Sequence, residues 1–266
     1  MPVFSTPVSR RRLLSCAGAS LTTALFAPNL VFGATDAMHV AREINDIERT
    51  AAYSAFASVQ LIRTGSQVRN RGLNVSAARQ GEESLSLRRY EFTDPGDIRG
   101  TKFLVQENAG EDNSLWLMLP SVGKVRRVSS SNQSDAFAGT DFSYANLMTL
   151  DLDEFDHVIT DQSGDSLVLE STVKSESFAD NIGYARVVTA ASAESMIPSR
   201  FEYFDRQGRA IKTQTVDQPA PAPDGKYILQ SRRMTVHGKG RETLISLSKL
   251  DFSPNFSRDH FRSQGL

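Results

Sequence analysis

Two periods divide this chain. Between His39 and Ala51 the apolar residues Val40, Ile44, Ile47 and Ala51 recur at i, i+4, i+7 and i+11, while Arg42, Glu43, Asp46 and Glu48 fall on other faces. That spacing predicts an amphipathic surface helix capping a core. Beyond it the period falls toward two. Runs rich in Val, Leu, Phe, Tyr and Thr predict strands near 55–69, 73–80, 84–93, 101–107, 114–119, 124–130, 155–160, 166–174, 184–191, 199–205, 209–217, 226–236 and 241–251. Between them stand Asp94-Pro95-Gly96-Asp97, Asn108-Ala109-Gly110, Pro120-Ser121-Val122-Gly123, Gln162-Ser163-Gly164-Asp165 and Asp205-Arg206-Gln207-Gly208. Proline presets φ and glycine supplies positive φ, so these are turns. So many evenly spaced strands predict an antiparallel sandwich or barrel. No βαβ rhythm calls for a parallel sheet or a dinucleotide fold. Pro219-Ala220-Pro221-Ala222-Pro223-Asp224-Gly225 reads as an exposed connection, because proline removes ladder donors. There is no internal repeat, and residues 35–266 are expected to form one domain.

The first 34 residues carry a different pattern. Arg10, Arg11 and Arg12 precede an apolar run from Leu13 to Ala27, Pro28 ends it, and Val31-Phe32-Gly33-Ala34 offers small residues for cleavage. A cationic, apolar and small-residue sequence of this kind is a secretory signal. The run is shorter than the roughly 20 residues a spanning helix needs. Paired arginines at that position indicate the Tat route, and Ser15, Ser20, Thr22 and Thr23 make the run only mildly apolar, as that route tolerates. The expected location is the bacterial periplasm, with the protein soluble after signal removal.

Cys16, the only cysteine, lies inside the signal. The apolar run follows it, whereas a lipidation signal needs the run in front. Residues 35–266 therefore lack disulfides, thiolate ligands and a cysteine nucleophile. Removing the signal takes three arginines from 30 basic residues and none from 31 acidic ones, leaving 27 − 31 = −4. Mild acidity argues against nucleic acid, which is met by basic surfaces.

Catalytic and metal patterns are missing. His39, His157, His237 and His260 show no ligand spacing and no HExxH. Asp151-Leu152-Asp153-Glu154-Phe155-Asp156-His157 fails as a calcium loop, because Phe155 takes the fifth position and no glycine takes the sixth. There is no GxSxG elbow. Gly123-Lys124 is followed by Val125, which breaks a phosphate-loop pattern, and Gly238-Lys239-Gly240 sits in a hairpin context. No cofactor, no metal and no enzymatic activity are expected.

One region differs from its surroundings. Gly100-Thr101-Lys102-Phe103-Leu104 leads into Leu115-Trp116-Leu117-Met118-Leu119-Pro120, a strand apolar on both faces that holds the only tryptophan. Such a strand buries both faces, or offers one to an apolar ligand or lid. Lys124-Val125-Arg126-Arg127 follows, then Phe137-Ala138-Gly139-Thr140-Asp141-Phe142-Ser143-Tyr144-Ala145-Asn146-Leu147. In this order the pieces resemble the LolA-like family of outer-membrane lipoprotein-sorting proteins, whose members share G-T-x-F-L, W-L-x-L-P, K-x-x-R and F-x-G-[TS]-D-F-[ST]-Y-x-[DN]-L. Ile197-Pro198-Ser199-Arg200 running into Asp205-Arg206-Gln207-Gly208 resembles the family's late hairpin. Ala138 stands where a bulkier residue is usual, and Ala145-Asn146 where Glu-Asp is common.

The resemblance implies a mainly β fold: an incomplete, strongly curved antiparallel β-barrel with a few helices packed in its concave side. It implies an apolar space that holds acyl chains. Family members near this pattern look like partners of resistance-nodulation-division exporters in the inner membrane. On that basis Phe103, Trp116, Met118, Phe137, Phe142 and Tyr144 are expected to line an apolar cavity. Arg126 and Arg127 are expected to meet an anionic head group or a partner. The expected role is a periplasmic carrier of a lipid, a lipoprotein acyl chain or a similar hydrophobic molecule, moved toward the outer membrane with transient membrane contact. The rivals are a cargo-free accessory subunit of an exporter and a periplasmic lipid hydrolase.

Overall fold

The structure, a computed structural model, describes residues 1, 34–80, 85–108, 113–257 and 259–266. The expected export segment, Cys16 included, lies outside the described residues except at its two ends, as does part of the predicted turn at 108–110.

Helix α1 (Ala34–Asp46) leads into strands β1 (Ala52–Arg63), β2 (Arg69–Gln80), β3 (Leu85–Asp94), β4 (Lys102–Gln106), β5 (Ser114–Leu119) and β6 (Lys124–Val128). A long crossing segment, 129–154, holds only short 3-10 turns. Then come β7 (Phe155–Ser163), β8 (Ser166–Val173), α2 (Glu176–Ile182), β9 (Arg186–Ser192), β10 (Pro198–Phe204), β11 (Ala210–Pro221), β12 (Tyr227–Val236) and β13 (Arg241–Asp251). The strands form one antiparallel sheet in the order β6-β5-β4-β3-β2-β1-β13-β12-β11-β10-β9-β8-β7. The sheet ends at β6 and β7, so the barrel is incomplete, and the fold is the mainly β, curved and open one expected. β1 and β13, distant in sequence, meet at its middle from Ser54 opposite Asp251 to Arg63 opposite Arg241. Register shifts beside Phe56, Leu73, Phe204 and Arg200 bend the ladder. Such bulges strengthen local twist and curve a sheet. Gly72 sits at one of them, where a Cβ would lie 2.9 Å from the Phe56 ring.

Each expected strand is present, with three differences at the edges of the prediction. Ala51 lies beyond α1 and is exposed, because the chain turns at Ile47 and Glu48 before entering β1. The strand expected over 55–69 stops at Arg63, since Thr64-Gly65-Ser66 form a turn with Gly65 at φ 74°. The proline-rich segment is a correction: β11 runs through Pro221 and pairs with β12, Pro219 opposite Leu229 and Pro221 opposite Tyr227. β10 pairs only as far as Thr215 opposite Arg200, so the end of β11 is a free edge. N–H groups in a strand alternate between its two sides, and Ala222 donates to Lys226 across the β12 side. Pro219 and Pro221 therefore place their missing donors on the unpaired side, where proline is tolerated.

The concave face carries the core. Tyr53, Ala55, Ala57, Val59 and Leu61 alternate inward along β1, with Leu73 and Val75 of β2 and Tyr90 and Phe92 of β3 beside them. The stripe Ala37, Val40, Ala41 and Ile44 of α1 packs on Ile159, Leu167 and Leu169 of β7 and β8. On the outer face the C-terminal segment covers Leu87 and Leu104 with Phe256, Phe261 and Leu266. Arg89 fixes that cover by donating to the carbonyls of His260 at 2.9 Å and Gly265 at 3.1 Å. No helix among the described residues is long and apolar enough to cross a membrane.

Candidate functional site: a strapped cavity under the crossing segment

The crossing segment straps the open concave side, and its sequence explains how. Phe137 is an aromatic plug, with ring centroids 4.7 Å from Phe103, 5.6 Å from Tyr90 and 5.7 Å from Phe92. Its backbone turns back at once, since Ala138 and Gly139 both hold positive φ (47° and 72°) and Phe137 N–H bonds to the Phe142 carbonyl at 2.8 Å. Gly139 adopts that conformation without strain, whereas Ala138 does so at a cost. Arg71 donates to the Ala138 carbonyl and holds this turn against β2.

Asp141 then bolts the strap to the centre of the sheet. Its fully buried carboxylate accepts from Arg63 at 2.9 Å and from the Thr243 hydroxyl at 2.7 Å, and Arg241 lies 3.1 Å away. Its backbone N–H donates to the same Thr243 oxygen at 3.0 Å. A buried carboxylate with two guanidinium partners is costly to orphan. Ser143 and Asn146 form a capping box that starts the next 3-10 turn, Tyr144–Leu147. Asn146 Oδ1 also accepts from Lys212 at 2.9 Å. Burial depresses the Lys212 ammonium to a pKa of about 8, partly offset by Asp141.

Beneath strap and helix lies a cavity of about 200 Å³, bounded by Ile44 and Ile47, by Ala145, Asn146, Met148, Thr149, Leu150 and Leu152 of the strap, and by residues of β7 to β12 such as Leu169, Phe201 and Tyr203. A second space of about 60 Å³ continues it over Tyr53, Val75, Phe137, Phe142 and Leu247. Both are lined by Glu48, Arg88, Asn146, Leu229 and Arg232, so these five mark the junction. A polar recess of about 630 Å³ adjoins on the other side. Asn45 of α1 and Met148, Thr149, Leu150 and Leu152 of the strap line both the recess and the main cavity.

The junction is charged within apolar walls. Glu48 pairs with Arg232 and accepts the Leu229 N–H at 3.0 Å. Burial opposes its ionisation, but Arg232, Arg88 and the Leu229 N–H together hold it below the usual carboxylate range. Burial also pushes the Tyr53 and Tyr90 phenols upward, so both stay neutral. His157 lines the wall, its Nδ1 2.8 Å from the Ser171 hydroxyl and its Nε2 3.0 Å from the Leu152 carbonyl. A carbonyl only accepts, so Nε2 carries the proton. Burial depresses the pKa of this ring.

The structure brings some expected lining residues together and separates others. Phe103, Phe137 and Tyr144 form one aromatic cluster over β3 and β4, and Phe137 and Phe142 line the smaller space. Trp116 points to the outer face, against Leu104 and the C-terminal cover, and donates to Gln106 at 3.2 Å. Met118 shares that face by strand alternation and is half-buried. The inward residues of β5 are Leu115 and Leu117. The sequence showed both faces apolar but not which faced the cavity; the C-terminal cover accounts for the second. Arg126 and Arg127 are exposed on edge strand β6, opposite Leu117 and Trp116 respectively, and so face opposite sides of the sheet.

Among the described residues no cluster of His, Cys, Asp and Glu could hold a metal.

Comparison with known proteins agrees with this architecture. A family model described as an uncharacterized protein matches residues 87–266, more than half of the chain. The fold is shared with a DUF1329 family protein from Desulfovibrio piger, at TM-score 0.78 and 23% identity over 88% of this chain and 98% of that one. It is shared with a domain from Vibrio parahaemolyticus named for outer membrane lipoprotein sorting, at TM-score 0.75 and 23% identity over 87% and 98%. A LolA superfamily protein from Nitrosomonas europaea follows at TM-score 0.66 and 16% identity over 86% and 99%. No curated protein matches the chain. With its model match over more than half of its length, the chain belongs to the family that this model describes as an uncharacterized protein, and it shares the LolA-like fold of these structures.

Proposed function

We propose that this protein is a periplasmic carrier that holds a hydrophobic envelope molecule without covalent chemistry, between the curved sheet and its strap. The observation that carries this reading is the cavity itself: two joined spaces between sheet, helix and strap, the smaller walled mainly by apolar side chains away from the junction, the larger by apolar side chains with polar groups such as His157, Ser171 and Gln214 among them. Apolar walls with sparse polar groups are the usual make-up of a small-molecule site. Affinity needs no catalytic constellation, because about 300 Å² of buried chain contributes roughly 7 kcal/mol.

The cavity of about 200 Å³ is below the roughly 300–1,000 Å³ of a site for a drug-sized ligand. Uptake therefore requires the strap to move. The stretch Met148–Leu152 is the natural element to move, since it has no regular structure from Met148 to Asp151 and lies between the cavity and the polar recess. Asp141 holds the neighbouring strap in register while this stretch moves. Cargo is then taken from a membrane or an inner-membrane exporter and passed to an acceptor.

The test is extraction from vesicles. Residues 35–266 are incubated with phosphatidylethanolamine–phosphatidylglycerol vesicles carrying a fluorescent acyl lipid and then separated by sedimentation. Label is expected in the soluble fraction in a one-to-one ratio with protein. No label in that fraction, together with co-purification of an exporter of the resistance-nodulation-division type, supports the cargo-free accessory subunit instead.

A further inference from the structure

The charge balance at the cavity junction narrows the cargo. Three ionised side chains line the two connected spaces: Glu48, Arg88 and Arg232. Glu48 and Arg232 satisfy each other through their ion pair. Arg88 stands on β3 with the inward parity of Tyr90 and Phe92. Among the described residues it has no carboxylate within ion-pair distance, and its one backbone contact is a long 3.4 Å approach to the Leu147 carbonyl on the strap. Its guanidinium hydrogen-bonds the Tyr90 phenol, which like that of Tyr53 is neutral and so leaves its charge unbalanced. The junction thus carries one surplus positive charge, inside walls made by Leu73, Val75, Phe142, Leu229 and Leu247. A guanidinium in low-dielectric surroundings favours an anion there, and carboxylates and phosphates match its planar donors.

From this we infer that the cargo is a monoanionic amphiphile, with its head group on Arg88 and its chain in the adjoining apolar space. This rests on the carrier reading and deepens it. A carboxylate head and a phosphodiester head share the required chemistry. A neutral acyl glyceride or an uncharged lipoprotein anchor does not. Glu48 sets the limit of one charge, because it already neutralises Arg232. The contact between Arg88 and Leu147 also places the head group under the strap, so a bound anion competes with the link that helps hold the strap down.

The experiment uses cis-parinaric acid and its methyl ester, titrated at pH 8 into residues 35–266 and followed by polyene fluorescence. The acid is expected to bind at least about tenfold more tightly than the ester. Arg88→Met is expected to remove that difference, Arg88→Lys to keep much of it, and Glu48→Gln to strengthen acid binding. Displacement of the acid by oleate and by phosphatidylglycerol then shows which monoanion is preferred. Equal binding of acid and ester by the wild-type protein overturns the inference and leaves the carrier reading standing. Failure of both to bind overturns the carrier reading itself. If Arg88→Met does not fold, the wild-type comparison and Arg88→Lys still decide.

Discussion

The residues with the largest consequences here are charged ones inside the fold. Asp141 is buried with Arg63, Arg241 and Thr243 around it. Its replacement by alanine leaves two guanidiniums facing the sheet without their anion. Breaking a buried pair in this way typically costs about 3–5 kcal/mol. Urea unfolding of Asp141→Ala is therefore expected to show a loss of that order and to expose the cavity to an apolar dye. Lys212 supplies a second prediction. Its folded pKa of about 8 lies below the usual lysine value, so the unfolded chain binds more protons between about pH 8 and 10.5. Stability rises with pH wherever the unfolded state binds more protons. The destabilisation from Lys212 is thus full below pH 8 and relieved across that window. Lys212→Met should be more stable than wild type at pH 7, with a gap that shrinks by pH 10; a pH-independent gap would contradict this. The tyrosines act oppositely. Tyr53, Tyr184 and Tyr203 have raised folded values, so their contribution is intact below pH 10 and lost above it, when the unfolded phenols ionise first.

Sequence reasoning missed Arg88, although a signal for it exists. Arg88 occupies an inward position of an alternating strand, and a charge there marks either an error in face assignment or a polar site within a core. Glu48 looked like the solvated face of a helix, because nothing local shows that the helix ends at Asp46 and turns inward. Asp141 lay inside a recognisable motif, but its partners come from β1 and β13, about a hundred residues away on either side, and no local pattern reveals such pairs.

Among the elements, the strap is what distinguishes this sheet from a plain curved barrel wall. The strands were legible because alternation and turn residues are local signals. The strap was not, since its shape is set by Phe137 entering an aromatic nest and by Asp141 bonding across the sheet. The C-terminal cover was equally hidden, and for that reason Trp116 was assigned to the cavity although Leu87, Leu104 and Phe261 occupy its face. Phe137→Ala removes the plug from a nest of four aromatic rings and should cost about 3–5 kcal/mol. Truncating Trp116 instead loosens the outer cover. Lipid co-purification should accordingly fall with Phe142→Asp and persist with Trp116→Gln, measured as extracted lipid per mole of folded protein. The reverse outcome would place the binding face on the outside of the sheet.

At the scale of the whole fold, a continuously paired sheet stands against a strap that lacks regular structure beside the cavity. The sheet is held by continuous ladders from β6 to β7, whereas 148–151 carries no regular structure and lies between the cavity and the polar recess. Low local stability is what an opening element needs. Backbone amides of Met148 to Asp151 should therefore exchange with solvent faster than those of β1 and β13, and cargo should slow them. The central claim is that the space beneath this strap holds an amphiphile in the cell. The most direct measurement is organic extraction and mass spectrometry of residues 35–266 purified from a bacterial periplasm without detergent. A stoichiometric amphiphile, with a single acidic head group, is the predicted result. A protein that emerges empty, and stays empty after incubation with total envelope lipid, would contradict it.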